Sequence, residues 1–119
     1  MEVKEVLQVK DSRLFAVKPN SPLSKAVIMM TEQDIGSVIV MEDGKLAGML
    51  TFREVFVLLA KRQTEGRVGP TPPIAEILVS EAMDPNPPTS NPEMDVDELR
   101  RMMVDSHTRY VPVMDGETV

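Results

Sequence analysis

The chain states one pattern twice, and a chain that repeats itself at this scale is confined to architectures built from copies of one supersecondary unit. Residues 19–30, from Pro19 to Met30, align without a gap over residues 92–103, from Pro92 to Met103, at a constant offset of 73. The offset carries forward: Ser37–Met41 falls over Tyr110–Met114, and a one-residue gap brings Asp43–Gly44 over Asp115–Gly116. A shorter echo lies upstream, where Val3–Leu7 resembles Val79–Met83 at a slightly different offset because the intervening loops differ in length. Each copy reads as helix, strand, tight turn and strand, and two such copies packed together would share a core.

Local chemistry assigns the elements. Leu14–Val17 reads as a short strand. Pro19–Pro22 is a turn and helix start, with Ser21 as N-cap and Pro22 at the first helical position. Leu23, Ala26, Val27 and Met30 recur at helical spacing in a helix running to about Gln33. Ser37–Met41 is a β-branched apolar run, Asp43–Gly44 a strong hairpin signal, and Leu46–Leu50 its returning strand. Phe52–Arg62 reads as a second helix whose apolar residues nearly surround its axis, so burial on more than one side is expected, as against another subunit. Residues 64–73, rich in glycine and proline, read as a linker between repeat 1 (about 1–63) and repeat 2 (about 74–119). Ile74–Met83 is expected to be a short helix, and Asp84–Pro92 an extended loop or brief strand. The second copy then sets Val96, Leu99, Met102 and Met103 on a helix face, followed by a strand over Tyr110–Met114. Only Glu117–Val119 remain after the Asp115–Gly116 turn, so the copy is incomplete, and the expectation is a fragment of a longer protein.

Composition closes off several function classes. At 119 residues the chain can bury ~65% of its unfolded surface as one compact domain. With no cysteine, thiol catalysis and cysteine-based metal sites are excluded. The longest apolar run, Val55–Ala60, is far below the roughly 20 residues of a membrane helix, and the N-terminus shows no basic region followed by an apolar one. The expected setting is soluble and cytoplasmic. A net charge of −6 disfavours duplex nucleic acid as a partner. No spaced nucleophile and base, phosphate-cradling glycine loop or histidine pair points to an enzyme.

Residues 48–54 (Gly-Met-Leu-Thr-Phe-Arg-Glu) and 111–116 (Val-Pro-Val-Met-Asp-Gly), ordered inside a repeat of strand, helix, hairpin and helix, resemble the cystathionine-β-synthase (CBS) domain. Two in tandem resemble a CBS pair, or Bateman module, across nearly the whole chain. The resemblance implies an α+β fold of two repeats, each strand-helix-strand-strand-helix, packed about a pseudo-two-fold axis with the second incomplete. It further implies a regulatory module that binds AMP, ADP, ATP, S-adenosylmethionine or a related adenosyl ligand between the repeats, requires no cofactor, and pairs as a homodimer through helices including 52–62. The family pattern Gly, two residues, Ser or Thr, two residues, Asp is met by Gly48 and Thr51 and departed from at Glu54, one methylene longer. Ligand contacts are thereby implied for Gly48, Met49, Thr51, Arg53 and Glu54, completed by Pro88 and Thr89 for the base and by Arg109 and Tyr110 for phosphate. The symmetric second site would need an acid motif beyond Val119.

The residues themselves support that location and also admit plainer roles. Thr51–Glu54 lies where a strand feeds a helix, so a hydroxyl, free N–H groups and a carboxylate converge at an anion-favouring helix N-terminus. The same Thr-x-x-Glu is a capping box that would serve the helix alone. Arg53 and Arg109 also read as solvated arginines, and His107, the sole histidine, as a surface or polar-contact residue. Glu93, Asp95, Asp97 and Glu98 lack calcium-loop spacing and suit the first turn of a helix. The ten methionines read mainly as core filler. A dimerisation or protein-interaction module with a decayed pocket is therefore the alternative to a ligand sensor.

Overall fold

A computed structural model describes residues 1–9, 14–64, 76–116 and 119. The element order is α1 (Val3–Val9), β1 (Ala16–Val17), α2 (Leu23–Glu32), β2 (Ser37–Glu42), β3 (Lys45–Thr51), α3 (Phe52–Thr64), α4 (Val79–Ala82) and α5 (Val96–Ser106). The expected linker at 64–73 lies outside the described residues apart from Thr64, which ends α3.

The hairpin forms where the sequence places it. β2 and β3 pair antiparallel from Ser37↔Thr51 to Glu42↔Lys45, with a bulge between Val40 and Met41. The turn needs two left-handed residues, and Asp43 (φ 53°) and Gly44 (φ 76°) supply them. β1 lies parallel to β2, with Ala16 opposite Ile39 and Val17 opposite Val40, and α2 makes the crossover. Val38, Ile39 and Val40 are all buried, which explains an apolar run in place of an alternating one.

The two copies are tied by an exchange of backbone hydrogen bonds. The N–H groups of Val79 and Ser80, opening α4, donate to Ser21 and Pro19 at 2.9 Å each, just before α2. Those of Val3 and Lys4, opening α1, donate to Met94 and Pro92 at 2.8 Å each, just before α5. The acceptors differ by the repeat offset of 73, so the contacts are two-fold mates. Leu23 N–H to the Ile77 carbonyl (2.7 Å) and Val96 N–H to that of Met1 (2.9 Å) complete the set. Each copy's leading helix thus packs on the other copy, and Ile77 and Val79 enter the core formed by Val17, Leu23, Met30 and Leu50.

This exchange accounts for the first departure from the sequence reading. Pro22, not Ser21, is the N-cap of α2, and it offers no side-chain cap. The Ser21 hydroxyl accepts from the Lys18 N–H at 3.3 Å, and the Ile77 carbonyl satisfies the first-turn Leu23 N–H in its place. The strand expected at Leu14–Val17 is only Ala16–Val17, and the helix expected over 74–83 is only Val79–Ala82 within the described part. Its extension past Met83 is prevented because Asp84 pairs in extended form with Met49.

The strand expected over Tyr110–Met114 reduces to one parallel bridge, Ser90↔Val113, the two-fold mate of Val17↔Val40. Pro112 stands where Ile39 donates to the Phe15 carbonyl at 3.0 Å, and proline has no N–H to give. The equivalent helices α2 and α5 end alike: Asp34 (φ 52°) and His107 (φ 53°) are left-handed, and the next N–H returns to Met30 or Met103 at 3.0 and 3.1 Å. The Val96, Leu99, Met102 and Met103 face of α5 is half-buried throughout, with no residue fully enclosed.

Val79 is 0% exposed and belongs by sequence to the second copy. Val79→Ala is expected to cost about 2 kcal/mol through lost burial and a residual cavity. Urea unfolding should show this as one lowered midpoint with an unchanged m-value, because the copies share that core.

Candidate functional site

β3 passes into α3 with no residue between them, which sets Thr51 at the helix entrance. Its hydroxyl accepts from the Arg53 N–H at 3.1 Å. Glu54 Oε2 accepts from the Thr51 N–H at 2.8 Å and from the Thr51 hydroxyl. Glu54 thus supplies the returning half of a capping box while the Thr51 hydroxyl caps the second-residue N–H of Arg53, and Thr51 is 7% exposed beneath it. Oε1 of Glu54 takes no hydrogen bond among the described residues.

Opposite this corner stand the loop after α4 and the end of α5. The Met49 N–H donates to the Asp84 carbonyl and the Asp84 N–H to that of Met49, both at 2.9 Å, fixing the second copy's loop against β3. From α3, Arg53 Nη1 donates at 3.1 Å to the carbonyl of His107 at the end of α5, so the two walls also touch near the mouth. Between them is a cleft of about 280 Å³ bounded by Met49, Thr51, Arg53 and Glu54 on one side and Pro88, Arg109 and Tyr110 on the other.

Seven of the nine sequence-derived site residues thus meet at one cavity. Gly48 and Thr89 do not line it. Gly48 lies beneath the wall, where an added Cβ would stand 2.6 Å from the Asp84 carbonyl oxygen. Its absent side chain is what admits the Asp84 pairing. Thr89 is exposed and lies between Pro88, which faces the cleft, and buried Ser90; alternation along an extended segment turns it away.

The cleft also includes Phe52, Asp84, Pro87, Ser106, His107 and Thr108, which the sequence reading leaves out. His107 could have been found from the repeat, since it lies 73 residues after Asp34 and both occupy a left-handed helix end that favours Asp, Asn and His. Asp84 gives no such signal. Thr108 shapes the rim: its hydroxyl accepts from the Tyr110 N–H at 3.3 Å and donates to the Tyr110 carbonyl at 3.0 Å. The Tyr110 ring lies over Gly36, where a Cβ would fall 1.9 Å from the phenol oxygen.

Two substitutions test this geometry. Gly48→Ala should force Asp84 off β3 and destabilise by about 1–3 kcal/mol in chemical unfolding. Gly36→Ala should displace Tyr110; as the chain has one tyrosine and no tryptophan, its intrinsic fluorescence reads that movement directly.

The family model described as "CBS domain" matches residues 3–61 and 79–119. The CBS domain-containing protein YhcV of Bacillus subtilis (strain 168) is 31% identical over 110 residues, covering 90% of this chain and 72% of that protein. The crystal structure of CBS domain NE2398 superposes with a TM-score of 0.85 at 25% identity, covering 100% of this chain and 87% of that one. The CBS domain pair of protein MJ0100, in complex with 5′-methylthioadenosine and S-adenosyl-L-methionine, gives 0.78 at 19% identity, covering 98% and 82%.

Proposed function

This chain belongs to the CBS domain family, and from that premise we propose that it is a non-catalytic regulatory module that binds an adenosyl ligand between its two repeats. The observation that carries the reading is the cleft, where the Thr51–Glu54 helix entrance of one copy meets Pro88, Arg109 and Tyr110 of the other. A ligand there touches both copies at once. Glu54 Oε1 accepts a ribose hydroxyl while Oε2 keeps the capping box, so the extra methylene of Glu is compatible with a one-oxygen grip. Apolar Met49 and Pro88 offer flanks for a base, and Arg109, which has no hydrogen bond or ion pair among the described residues, faces the 5′ substituent. The adenosyl ligands in the MJ0100 complex support the same ligand class.

Regulation on this reading works through α3. Phe56 is 67% exposed and Val57 58%, an apolar face suited to pairing with a second copy as a homodimer. Ligand contact shifts the pairing only by as much as it favours one arrangement over another. The same exposed face, with the capping box already satisfied without ligand, favours the second reading of a dimerisation module that binds nothing in the cleft.

A thermal-shift panel of AMP, ADP, ATP, S-adenosylmethionine and NAD separates the two. A ligand at 100 times its dissociation constant stabilises by about 2.7 kcal/mol, a shift of several degrees. The sensor reading expects at least one such shift, reduced in Glu54→Ala and Arg109→Ala. No shift with any compound, together with a dimer broken by Phe56→Glu in sedimentation, would establish the dimerisation module.

A further inference from the structure

Resting on the homodimer reading, we infer that α2 lies on the two-fold axis of that dimer, packed antiparallel against α2 of the second copy, so that repeat 1 meets repeat 1. Residues 25, 28, 29 and 32 share one face of α2 by their three- and four-residue spacing, opposite the face that buries Leu23, Ala26 and Met30. This outer face has an apolar centre and charged ends. Ile28 is 53% exposed and Met29 half-buried, with Lys25 a turn before them and Glu32 a turn after. Together with Phe15 they line an open surface groove of about 570 Å³. Neither the Lys25 nor the Glu32 side chain has an ion pair among the described residues.

A two-fold contact is self-complementary: if one residue meets another, the second meets the first across the axis. An axis passing between residues 28 and 29 sets Ile28 opposite Met29, Lys25 opposite Glu32 and Ser24 opposite Gln33, each twice. Apolar meets apolar at the centre, and unlike charges meet at both ends.

The repeat supplies the comparison that singles out this pairing. At the offset of 73, Lys25, Ile28, Met29 and Glu32 correspond to Glu98, Arg101, Met102 and Asp105 on α5. In the same register, α2 against α5 would set Lys25 opposite Asp105 but Glu32 opposite Glu98, with Arg101 facing Met29. Pairing α5 with α5 would oppose Glu98 and Asp105 twice. Like charges set opposite one another select against a partner, so the α5 face excludes the two alternatives that α2 with α2 avoids. A pair of ten-residue helices buries less than the ~800 Å² per partner of a standard interface. Register thus comes from α2, and the exposed Phe56 and Val57 of α3 add area.

Sedimentation at low salt tests this by charge reversal. Lys25→Glu and Glu32→Lys should each raise the dimer dissociation constant by about tenfold, because two attractive pairs become repulsive. Each also suits the α2 dipole, with an acid in the first turn or a base in the last, so the helix itself is not weakened. Mixed one to one, the two variants should associate with the unsubstituted constant, since each then meets the opposite charge at both ends. Glu98→Lys should change nothing; a tighter dimer would place α2 against α5 and overturn the inference. Single reversals within about twofold of the unsubstituted constant, or a mixture no tighter than either variant alone, would also overturn it. If Phe56→Glu still separates the subunits in that case, the α3 homodimer stands without the α2 contact. A chain monomeric at every concentration overturns both.

Discussion

The exchange of leading segments between the two copies is the constraint on which the rest of the structure depends. The N–H groups of Val79 and Ser80 at the start of α4 are satisfied by carbonyls before α2, and those of Val3 and Lys4 at the start of α1 by carbonyls before α5. A buried backbone group left without its partner costs about 1–3 kcal/mol, so neither copy can lift away without leaving several such groups behind. A helix as short as Val79–Ala82 has little stability of its own. It persists because Val79 is enclosed in the core of the other copy.

The cleft follows from the same exchange. Once α4 is seated, the chain leaving it must pass along β3, and the Met49–Asp84 pair fixes it there because Gly48 presents no side chain. That route brings Pro87 and Pro88 over the Thr51 corner, while the left-handed end of α5 turns His107 to Tyr110 toward the same point. Packing of the Tyr110 ring on Gly36 adds a second point of registration between the two copies.

Much of this was legible in the sequence because it is local chemistry. Asp43–Gly44 announces its own turn, the α2 and α5 faces show helical spacing, and Thr51-x-x-Glu54 encodes a helix-entrance cap in which the structure joins the Glu54 carboxylate to the Thr51 N–H. What was not legible depends on partners distant in the chain. Ser21 has the chemistry of an N-cap, and nothing local reveals that the Ile77 carbonyl takes the donor it would have served. Tyr110–Met114 has strand composition, yet a strand needs ladder partners, and Pro112 removes one of its donors. Asp84 entered the site by the path of the backbone, a path set by the exchange and not by the residue's own type. The repeat held part of the remainder, since His107 and Asp34 end equivalent helices in the same conformation.

The first turn of α3 places the cleft and the exposed apolar face within reach of one side chain. Phe52, 44% exposed, borders the cleft, and it also begins a stripe that continues through Phe56 and Leu59 at helical spacing. On the sensor reading, a ligand beside Thr51 and a second subunit against α3 would both come within reach of that ring. If ligand and partner favoured different positions of Phe52, their binding would be coupled, each changing the other's affinity by the same factor. A coupling of about 1–3 kcal/mol is typical of such systems. The arrangement needs no movement of the exchanged core, which can stay rigid while the α3 face changes.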